Sequence, residues 1–282
     1  MALADSVPGV SGGTIAFIMG FYDKFINSLD GLVYGDKKKK KESLMFLIKL
    51  GIGWVIGMIL ASVVLASLFE KNIYEISSLF LGFIILSIPL IIKEEKSELK
   101  GKYFNIVFTI IGILVVILIT KLNPVSSKES VVDITNLNIG LMLYILLAGS
   151  LAISAMVLPG ISGSTLLLIF GLYISIMTGI KNLLHFDLSY LPALIVFGLG
   201  VIIGVLGIIK LIKKALKNYR SQTIYLVIGL MIGSIYAIIM GPTTLEVPKS
   251  PMSVNTFNIL FFIIGAATIV FLDRIKLLLN KE

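Results

Sequence analysis

Long apolar runs alternate with short polar stretches along most of this chain. The apolar runs are residues 44–69, 74–92, 103–120, 138–156, 190–210, 224–241 and 257–273. Each is near or above the length of about 20 residues with which a helix crosses a bilayer. The pattern therefore predicts an all-α integral membrane protein with several spanning helices. Between these runs lie two notable polar stretches, a lysine-rich loop at 30–43 and a linker at 121–137.

Two glycine-rich segments interrupt the apolar pattern, and they are copies of one another. Residues 7–14 read VPGVSGGT and residues 158–165 read LPGISGST. Proline lacks an amide donor and glycine tolerates left-handed dihedral angles, so each copy is predicted to break one helix and start another. The new helices are predicted to reach about Leu29 and Thr178. Eight identical pairs support the match: Pro8/Pro159, Gly9/Gly160, Ser11/Ser162, Gly12/Gly163, Thr14/Thr165, Ile18/Ile169, Gly20/Gly171 and Tyr22/Tyr173.

The similarity continues beyond these motifs through both halves of the chain. Residues 104–112 and 257–265 share seven of nine positions. The other matches are Gly51/Gly198, Gly53/Gly200, Gly57/Gly204, Gly82/Gly229 and Ser87/Ser234. The chain is thus predicted to contain repeat 1 (residues 1–120), an external linker (121–137) and repeat 2 (138–282), with glycine faces for helix packing. Repeat 1 has no counterpart of 138–153, so we expect its leading arm to be short or absent.

Charge orients this scheme. The chain is 57% hydrophobic and 14% charged, with mean hydropathy +1.03, net charge +8 and no cysteine. In a membrane protein such a charge indicates cytoplasmic lysines rather than nucleic-acid binding. With loop 30–43 placed inside, eighteen Lys and Arg residues fall on the inner side and five on the outer side. The sequence therefore predicts a multi-pass protein with its C-terminus inside.

The same orientation gives residues 138–180 an unusual path. Both flanking segments, 121–137 and 181–189, are predicted to be outside, so this stretch enters and leaves on one face. It is either a re-entrant hairpin with 158–164 at its tip or two full crossings, and the glycine-rich break favours the hairpin. The first motif helix ends inside and the second ends outside, so the repeats are predicted to be inverted. Inverted repeats with broken helices are typical of transporters.

The two motif tips are the candidate binding site. Free amides at a helix start attract anions, phosphate above all, and serine and threonine hydroxyls add donors without burying a charge. Two such tips meeting in mid-membrane would form an anion site that contains no cation. The alternative is that the glycines only allow close packing and the hydroxyls satisfy backbone carbonyls. The candidates are Gly9, Ser11, Gly12, Gly13, Thr14, Gly160, Ser162, Gly163, Ser164 and Thr165.

A few other residues have candidate roles. Asp5 precedes the first motif and is a candidate for proton coupling, with a helix cap or an interfacial position as the alternative. Tyr22 and Tyr173 are expected at the membrane interface, and Arg220 in a solvated loop. His185 has no companions for a metal site, so we predict no metal and no cofactor. An enzyme is disfavoured, because Walker, nucleophile-elbow and HExxH motifs are absent from the sequence.

Residues 4–14 together with 158–164 resemble the prokaryotic polyprenyl-phosphate (undecaprenyl-phosphate) transporter family, the PopT-like proteins. The resemblance extends over essentially the whole chain. It implies a flippase in the cytoplasmic membrane that returns undecaprenyl phosphate, the carrier lipid of cell-wall precursors, from the outer to the inner leaflet. The implied partners are a polyprenyl-phosphate lipid and the bilayer, and no nucleic acid; the sequence is compatible with a homo-oligomer.

Two other functions remain open at this point. One is an ion-coupled transporter or channel for a small water-soluble anion. The other is a scaffold that transports nothing and joins a wall-synthesis complex. Flux of inorganic phosphate without a lipid substrate would favour the first, and co-purification with partners in the absence of translocation would favour the second.

Overall fold

The computed structural model of this protein describes residues 1–2, 11–122, 132–244 and 248–279. Within these ranges the regular structure is helical throughout. The main helices are α1 (Gly12–Ile18), α2 (Tyr22–Tyr34), α3 (Lys37–Lys71), α4 (Ile73–Glu94), α5 (Ile106–Leu122), α6 (Ile139–Val157), α7 (Gly163–Ile169), α8 (Tyr173–Leu184), α9 (Leu191–Asn218), α10 (Arg220–Met240) and α11 (Ile259–Leu279). Short turns at Lys96–Leu99, Tyr103–Asn105 and Gly241–Thr244 connect some of them.

Five of the described helices are long and apolar enough to cross a membrane. They are α4, α5 with the turn before it, α6, α9, and α10 with part of the turn after it. A sixth segment is a bent pair, Gly163–Ile169 with Tyr173–Ile180, whose axes differ by 110°. The prediction of an all-α membrane protein is confirmed.

The motif helices are shorter than the sequence suggested. We expected continuous helices to about Leu29 and Thr178, but each stops after seven residues. Gly20 and Gly171 have φ of 71° and 65°, a left-handed conformation that favours glycine and ends a helix. The Phe21 amide donates to the Ala16 carbonyl at 3.1 Å and the Leu172 amide to the Leu167 carbonyl at 2.9 Å, which closes the same terminal turn in both copies.

The lysine-rich stretch is helical rather than the predicted loop over 30–43. Only Gly35 and Asp36 separate α2 from α3. The Lys39 amide donates to the Asp36 carboxylate at 2.9 Å, which satisfies one of the unpaired amides at the start of α3. The predicted linker is also more than a polar connector at its described end. Ile134 is buried in a core cluster, and the Val132 amide donates to the Gly171 carbonyl at 3.2 Å.

The centre of the molecule is the crossing of α4 and α10, the matching spans of the two halves. Their buried side chains, among them Ile84, Ile224 and Met231, form one core cluster. Arg220 at the start of α10 pairs with Glu95 just beyond the end of α4, so the two helices run in opposite directions. An antiparallel pair of matching spans agrees with inverted repeats, which stay a prediction.

Each central span also packs along the last span of the other half. At the start of the α5 segment, the Asn105 side-chain amide donates to the Ser221 hydroxyl of α10 at 2.9 Å, and the Thr109 hydroxyl donates to the Tyr225 carbonyl of α10 at 2.8 Å. On the other side the Asn258 amide donates to the Ser78 hydroxyl of α4 at 2.9 Å. Glycine permits the close contacts of α10 with α5 and of α4 with α11, because a Cβ at any of four positions would overlap the backbone of the opposite helix. These positions are the matched pairs Gly82/Gly229 and Gly112/Gly265.

Helices α6 and α7 form a hairpin whose tip is the second motif. A Cβ at Gly163 would lie 2.6 Å from the Ala152 carbonyl oxygen, so the two arms are in backbone contact. At the open end of the hairpin, the Tyr144 hydroxyl donates to the Phe170 carbonyl at 2.8 Å. The hairpin is held against α9 by a glycine face, where Gly200 and Gly204 contact the backbone of α6. This packing fixes the tip beside the first motif.

Candidate functional site

The two motif tips meet each other in the interior. The Gly160 amide donates to the Thr14 hydroxyl at 2.8 Å, and the Ser11 hydroxyl donates to the Leu158 carbonyl at 3.1 Å. Ser11 and Thr14 are each 1% exposed. The expected convergence of two separate segments, about 150 residues apart in sequence, is therefore present in the structure.

These groups form one continuous chain of hydrogen bonds. Ser11 has a single hydroxyl hydrogen, and it is directed to Leu158, so the 3.1 Å contact between the Ser11 and Thr14 hydroxyls has Thr14 as donor. The order is then Gly160 N–H to Thr14, Thr14 O–H to Ser11, and Ser11 O–H to Leu158. The chain starts and ends on the second motif, with Pro159 between its two ends. It clamps the second tip to the first through two uncharged side chains.

The first tip is also capped by its own serine. Ser11 has extended backbone and its hydroxyl accepts from the Thr14 amide at 3.2 Å, as an N-cap residue does. The second tip differs, because Ser162 makes no cap bond and its hydroxyl lies 2.7 Å from that of Ser164. The Thr14 amide, which we expected to be free for a ligand, therefore already donates a hydrogen bond to the Ser11 hydroxyl.

Three motif glycines are explained by close packing. Gly160 has φ of 86°, and a Cβ there would lie 2.6 Å from the Leu230 carbonyl oxygen of α10. A Cβ at Gly13 would lie 2.7 Å from the Val157 carbonyl oxygen, and Gly163 packs on α6 within the hairpin. The packing interpretation thus holds for these positions. It is compatible with a binding role, since the same contacts are what bring the hydroxyls together.

The remaining candidates fall into two groups. Gly12 is buried beside the cluster, and Ser164 and Thr165 are half-buried in the first turn of α7. Gly9 and Asp5 lie outside the described residues. Within the part of the chain that the structure describes, the Ser11, Thr14, Ser162 and Ser164 hydroxyls bond to backbone groups and to one another, all of them uncharged.

Tyr22 was missed as part of this site. We expected it at the membrane interface, but its side chain is buried and its hydroxyl donates to the Val157 carbonyl at 3.2 Å. It thereby supports the same Val157–Leu158 turn that contacts Gly13 and Ser11. The available signal was its identity with Tyr173 within the repeat. Tyr173, however, is only partly buried and packs in a different cluster.

Arg220 is a second correction. We expected a solvated loop residue, but its guanidinium joins Asp23 of α2, at 3.0 Å, to Glu95 after α4, also at 3.0 Å. These three residues border a polar cavity of about 100 Å³. Nearby, Lys213 of α9 pairs with the largely buried Asp30 of α2. Both ion-pair groups connect repeat 1 carboxylates to repeat 2 cations, which sequence alone gave no reason to pair.

No cluster of three potential metal ligands occurs among the described residues. His185 is exposed at the end of α8. The geometry therefore contains a buried, uncharged set of donors and acceptors at the junction of the two halves, and ion pairs at one end of that junction. Such a set can bind an anion by hydrogen bonds once its internal bonds exchange.

The chain is similar to known proteins over nearly its whole length. The profile of the VCA0040-like family, described as undecaprenyl phosphate translocase-like, matches residues 1–274. The polyprenyl-phosphate transporter of Staphylococcus aureus (strain NCTC 8325 / PS 47) is 35% identical over 250 residues, covering 86% of this chain and 84% of the relative. The polyprenyl-phosphate transporter of Vibrio cholerae serotype O1 (strain ATCC 39315 / El Tor Inaba N16961) is 30% identical over 245 residues, covering 83% and 73%.

No solved structure is significantly similar to this chain. The family match and both relatives agree with the resemblance that the paired Pro-Gly motifs carry. The chain belongs to the undecaprenyl phosphate translocase-like family.

Proposed function

We propose that this protein is a flippase for polyprenyl phosphate whose headgroup site is formed by the two motif tips. The phosphate would cross the membrane at the junction of the two halves while the isoprenoid tail stays in lipid. The family description and the names of both relatives support this substrate. The residues assigned to the headgroup are Gly9, Ser11, Gly12, Gly13, Thr14, Gly160, Ser162, Gly163, Ser164 and Thr165.

The hydrogen-bond chain between the two tips is the observation that carries the proposal. It contains three hydrogens, on the Gly160 amide and on the Thr14 and Ser11 hydroxyls. Phosphate oxygens accept hydrogen bonds, so separation of the tips would free the Gly160 amide and the Ser11 hydroxyl for the headgroup. The Thr14 hydroxyl, which bonds to Ser11 within the first tip, would then turn from Ser11 to the headgroup. Once the tips are apart, the two hydroxyl hydrogens rotate to suit a new acceptor, whereas the Gly160 amide keeps the direction set by its backbone.

Uncharged donors suit a cargo that must also leave. Moving an isolated charge into hydrocarbon is prohibitively costly, so the headgroup needs polar partners throughout its passage. Hydrogen bonds from hydroxyls and amides offset part of that cost. A buried cation would bind the phosphate more strongly but would slow its release, because separating a buried ion pair leaves a charge without a partner.

The arrangement of the halves supports alternating access. The antiparallel α4 and α10 are matching spans, and each packs on the last span of the other half in an equivalent way. Oppositely directed repeats around a central site are the architecture of many transporters. With the lysine-rich segments inside, the C-terminus lies on the inner side of the cytoplasmic membrane. Net transport would run from the outer to the inner leaflet, returning the carrier lipid for peptidoglycan and other envelope synthesis.

Reconstituted vesicles provide the test. The double variant Ser11→Ala, Ser162→Ala should lose most translocation of polyprenyl phosphate, because both tips lose a hydroxyl donor. A matched control is Ser154→Ala, which removes a hydroxyl that bonds to the Ser150 carbonyl of its own helix, at 2.7 Å. Thermal unfolding of each variant shows whether a loss of transport reflects loss of folding.

Two outcomes of these transport assays would contradict the proposed flippase. Wild-type rates in a folded double variant would show that the tips do not hold the headgroup. Flux of inorganic phosphate in the absence of lipid substrate would favour a transporter of small anions.

Asp5 is a coupling candidate in this scheme, and Asp5→Asn should abolish the dependence of transport on a pH gradient; unchanged dependence would remove Asp5 from the mechanism.

A further inference from the structure

An apolar cavity of about 150 Å³ lies beside the first motif helix. Its walls come from three helices that belong to both halves of the chain. Residues that line it are Ile15 and Met19 of the α1 segment, Phe80 and Phe83 of α4, and Ile269 and Leu272 of α11. Met19 is 40% exposed, so the cavity reaches the outside of the protein at this residue.

Among the residues that the structure describes, the lining is almost entirely apolar and also includes Met1 and Ile18. Thr268 also borders the cavity, but its hydroxyl donates to the Ile264 carbonyl of its own helix at 2.8 Å. Phe80 and Phe83 pack edge to face, with ring centroids 5.2 Å apart. A phosphate would gain nothing here. The chemistry of the cavity fits a hydrocarbon chain.

The equivalent space in the other half is filled. Position by position, Ile15 corresponds to Leu166, Phe83 to Leu230 and Ile269 to Val116. These three counterparts pack together in one cluster with Ile119, the counterpart of Leu272. Val116 and Leu230 are 3% and 2% exposed. At these four matched positions of the described residues, the side chains pack into a core beside the second motif helix and border a cavity beside the first.

The geometry points to this cavity as the site for the first isoprene units of polyprenyl phosphate, an inference that rests on the function proposed above. Ile15 directly follows Thr14, whose hydroxyl accepts the Gly160 amide at the junction of the tips. A headgroup held at Thr14 has its tail covalently attached. Ile15, Ile18 and Met19 continue from that point along the cavity for about one helical turn, to the exposed Met19.

The cavity would distinguish lipids by shape more than by hydrophobicity. A lipid tail that moves from the bilayer into an apolar cavity gains little from the hydrophobic effect, because lipid chains are as apolar as the lining. Packing can still discriminate, since protein interiors respond to single methyl groups. The branched isoprenoid chain is the occupant to which we commit, and a straight phospholipid acyl chain is the alternative that the experiment separates.

Photolabelling tests this directly. The probe is a polyprenyl phosphate with a diazirine in the isoprene unit next to the phosphate, added to the full chain in vesicles. We expect saturable labelling of Met19 and Leu272, displaced by unlabelled polyprenyl phosphate but not by phosphatidylglycerol or inorganic phosphate. Met19→Phe, which introduces the residue type of its counterpart Phe170, should lower the labelling of Leu272 by roughly fivefold or more, because added bulk must displace an occupant.

The control is Val270→Phe, which introduces the same side chain at an exposed position of α11 that is not among the lining residues. It should leave the labelling unchanged. Equal displacement by phosphatidylglycerol, or labelling in Met19→Phe as strong as in the wild type, would overturn the tail site. Saturable labelling confined to other residues would also overturn it while leaving the transport proposal intact. No saturable labelling anywhere would count against both.

Discussion

The two halves of this protein share a sequence pattern but differ in how firmly their equivalent parts are held. In the second half, the glycine face of α9 lies against α6 through Gly200 and Gly204. In the first half, a Cβ at the counterpart Gly53 would meet none of the described residues within 4 Å, and among them one at Gly57 would approach the Ala2 Cβ, at 3.0 Å. The same small-residue pattern thus marks a helix contact in one half and an open face in the other.

The charged residues differ between the halves as well. Asp23, Glu95 and Arg220 form an ion-pair group at one end of the α4–α10 crossing. Their counterparts at the opposite end are Ile174, Pro242 and Ile73, which cannot form ion pairs. Ion pairs therefore connect the helices at one end of the crossing, and the matched positions at the other end offer none. An alternating-access cycle built on this frame would therefore meet unequal barriers at its two ends.

The largest expected effect is at Gly160, where the tips touch α10. Gly160→Ala would impose a left-handed conformation on a residue with a Cβ, at about 1–2 kcal/mol. Overlap with the Leu230 backbone adds about 1–3 kcal/mol more. We expect marked loss of thermal stability and of transport. Gly198→Ala is the control, since its Cβ would meet nothing within 4 Å. Equal melting temperatures for the two variants would contradict the packing of the tip.

The glycine comparison can be tested across the halves with a matched pair. Gly200→Ala should destabilise the protein by about 1–3 kcal/mol, because the new Cβ would overlap the Leu146 carbonyl of α6. Gly53→Ala changes the corresponding position of α3, where the space is open, and should be neutral or slightly stabilising through better helix propensity. Thermal unfolding in detergent measures both. Equal losses would mean that the α3 face is also packed against a helix.

Sequence predicted the helical membrane fold and the two motifs because both depend on local composition. Apolar length predicts spans, and Pro-Gly breaks predict tips. Even the additional helix ends were encoded, because Gly20 and Gly171 are identical in the repeat and each adopts positive φ. That signal was present in the aligned pairs but was interpreted as similarity alone.

Other features depend on which parts become neighbours in space, which local pattern does not determine. Arg220 lies 197 positions from Asp23 and 125 from Glu95, so nothing local indicates their pairing. The placement of Tyr22 against Val157 is of the same kind. The contact between Thr14 and Gly160 was anticipated only through the inverted arrangement. Its hydrogen-bond order, and the capping difference between Ser11 and Ser162, required coordinates.

The ion-pair difference between the two ends predicts a smaller effect than the glycines. Arg220→Gln should cost about 1.5–3 kcal/mol, the range for hydrogen bonds to charged groups, because Glu95 is 17% exposed and would lose its partner. Lys102→Gln breaks the exposed pair with Glu98, one turn apart, and should cost only about 0.3–0.5 kcal/mol. Added salt should reduce the difference in stability loss between the two variants only a little, since partly buried pairs are weakly screened. If both variants lose the same small amount of unfolding free energy, the Arg220 ion pairs do not stabilise the contact between α4 and α10.

The smallest expected effect distinguishes the two motif serines. Ser11→Ala removes a helix cap and the bond to the Leu158 carbonyl, so we expect a loss of about 1–2 kcal/mol in stability. Ser162→Ala removes a hydroxyl that caps no helix and bonds to the neighbouring Ser164 hydroxyl, and we expect about 0.5 kcal/mol. Thermal unfolding of the single variants measures the difference. If Ser162→Ala is the more destabilising, the second tip rather than the first anchors the junction, and the clamp formed by Thr14 and Ser11 is not what joins the halves.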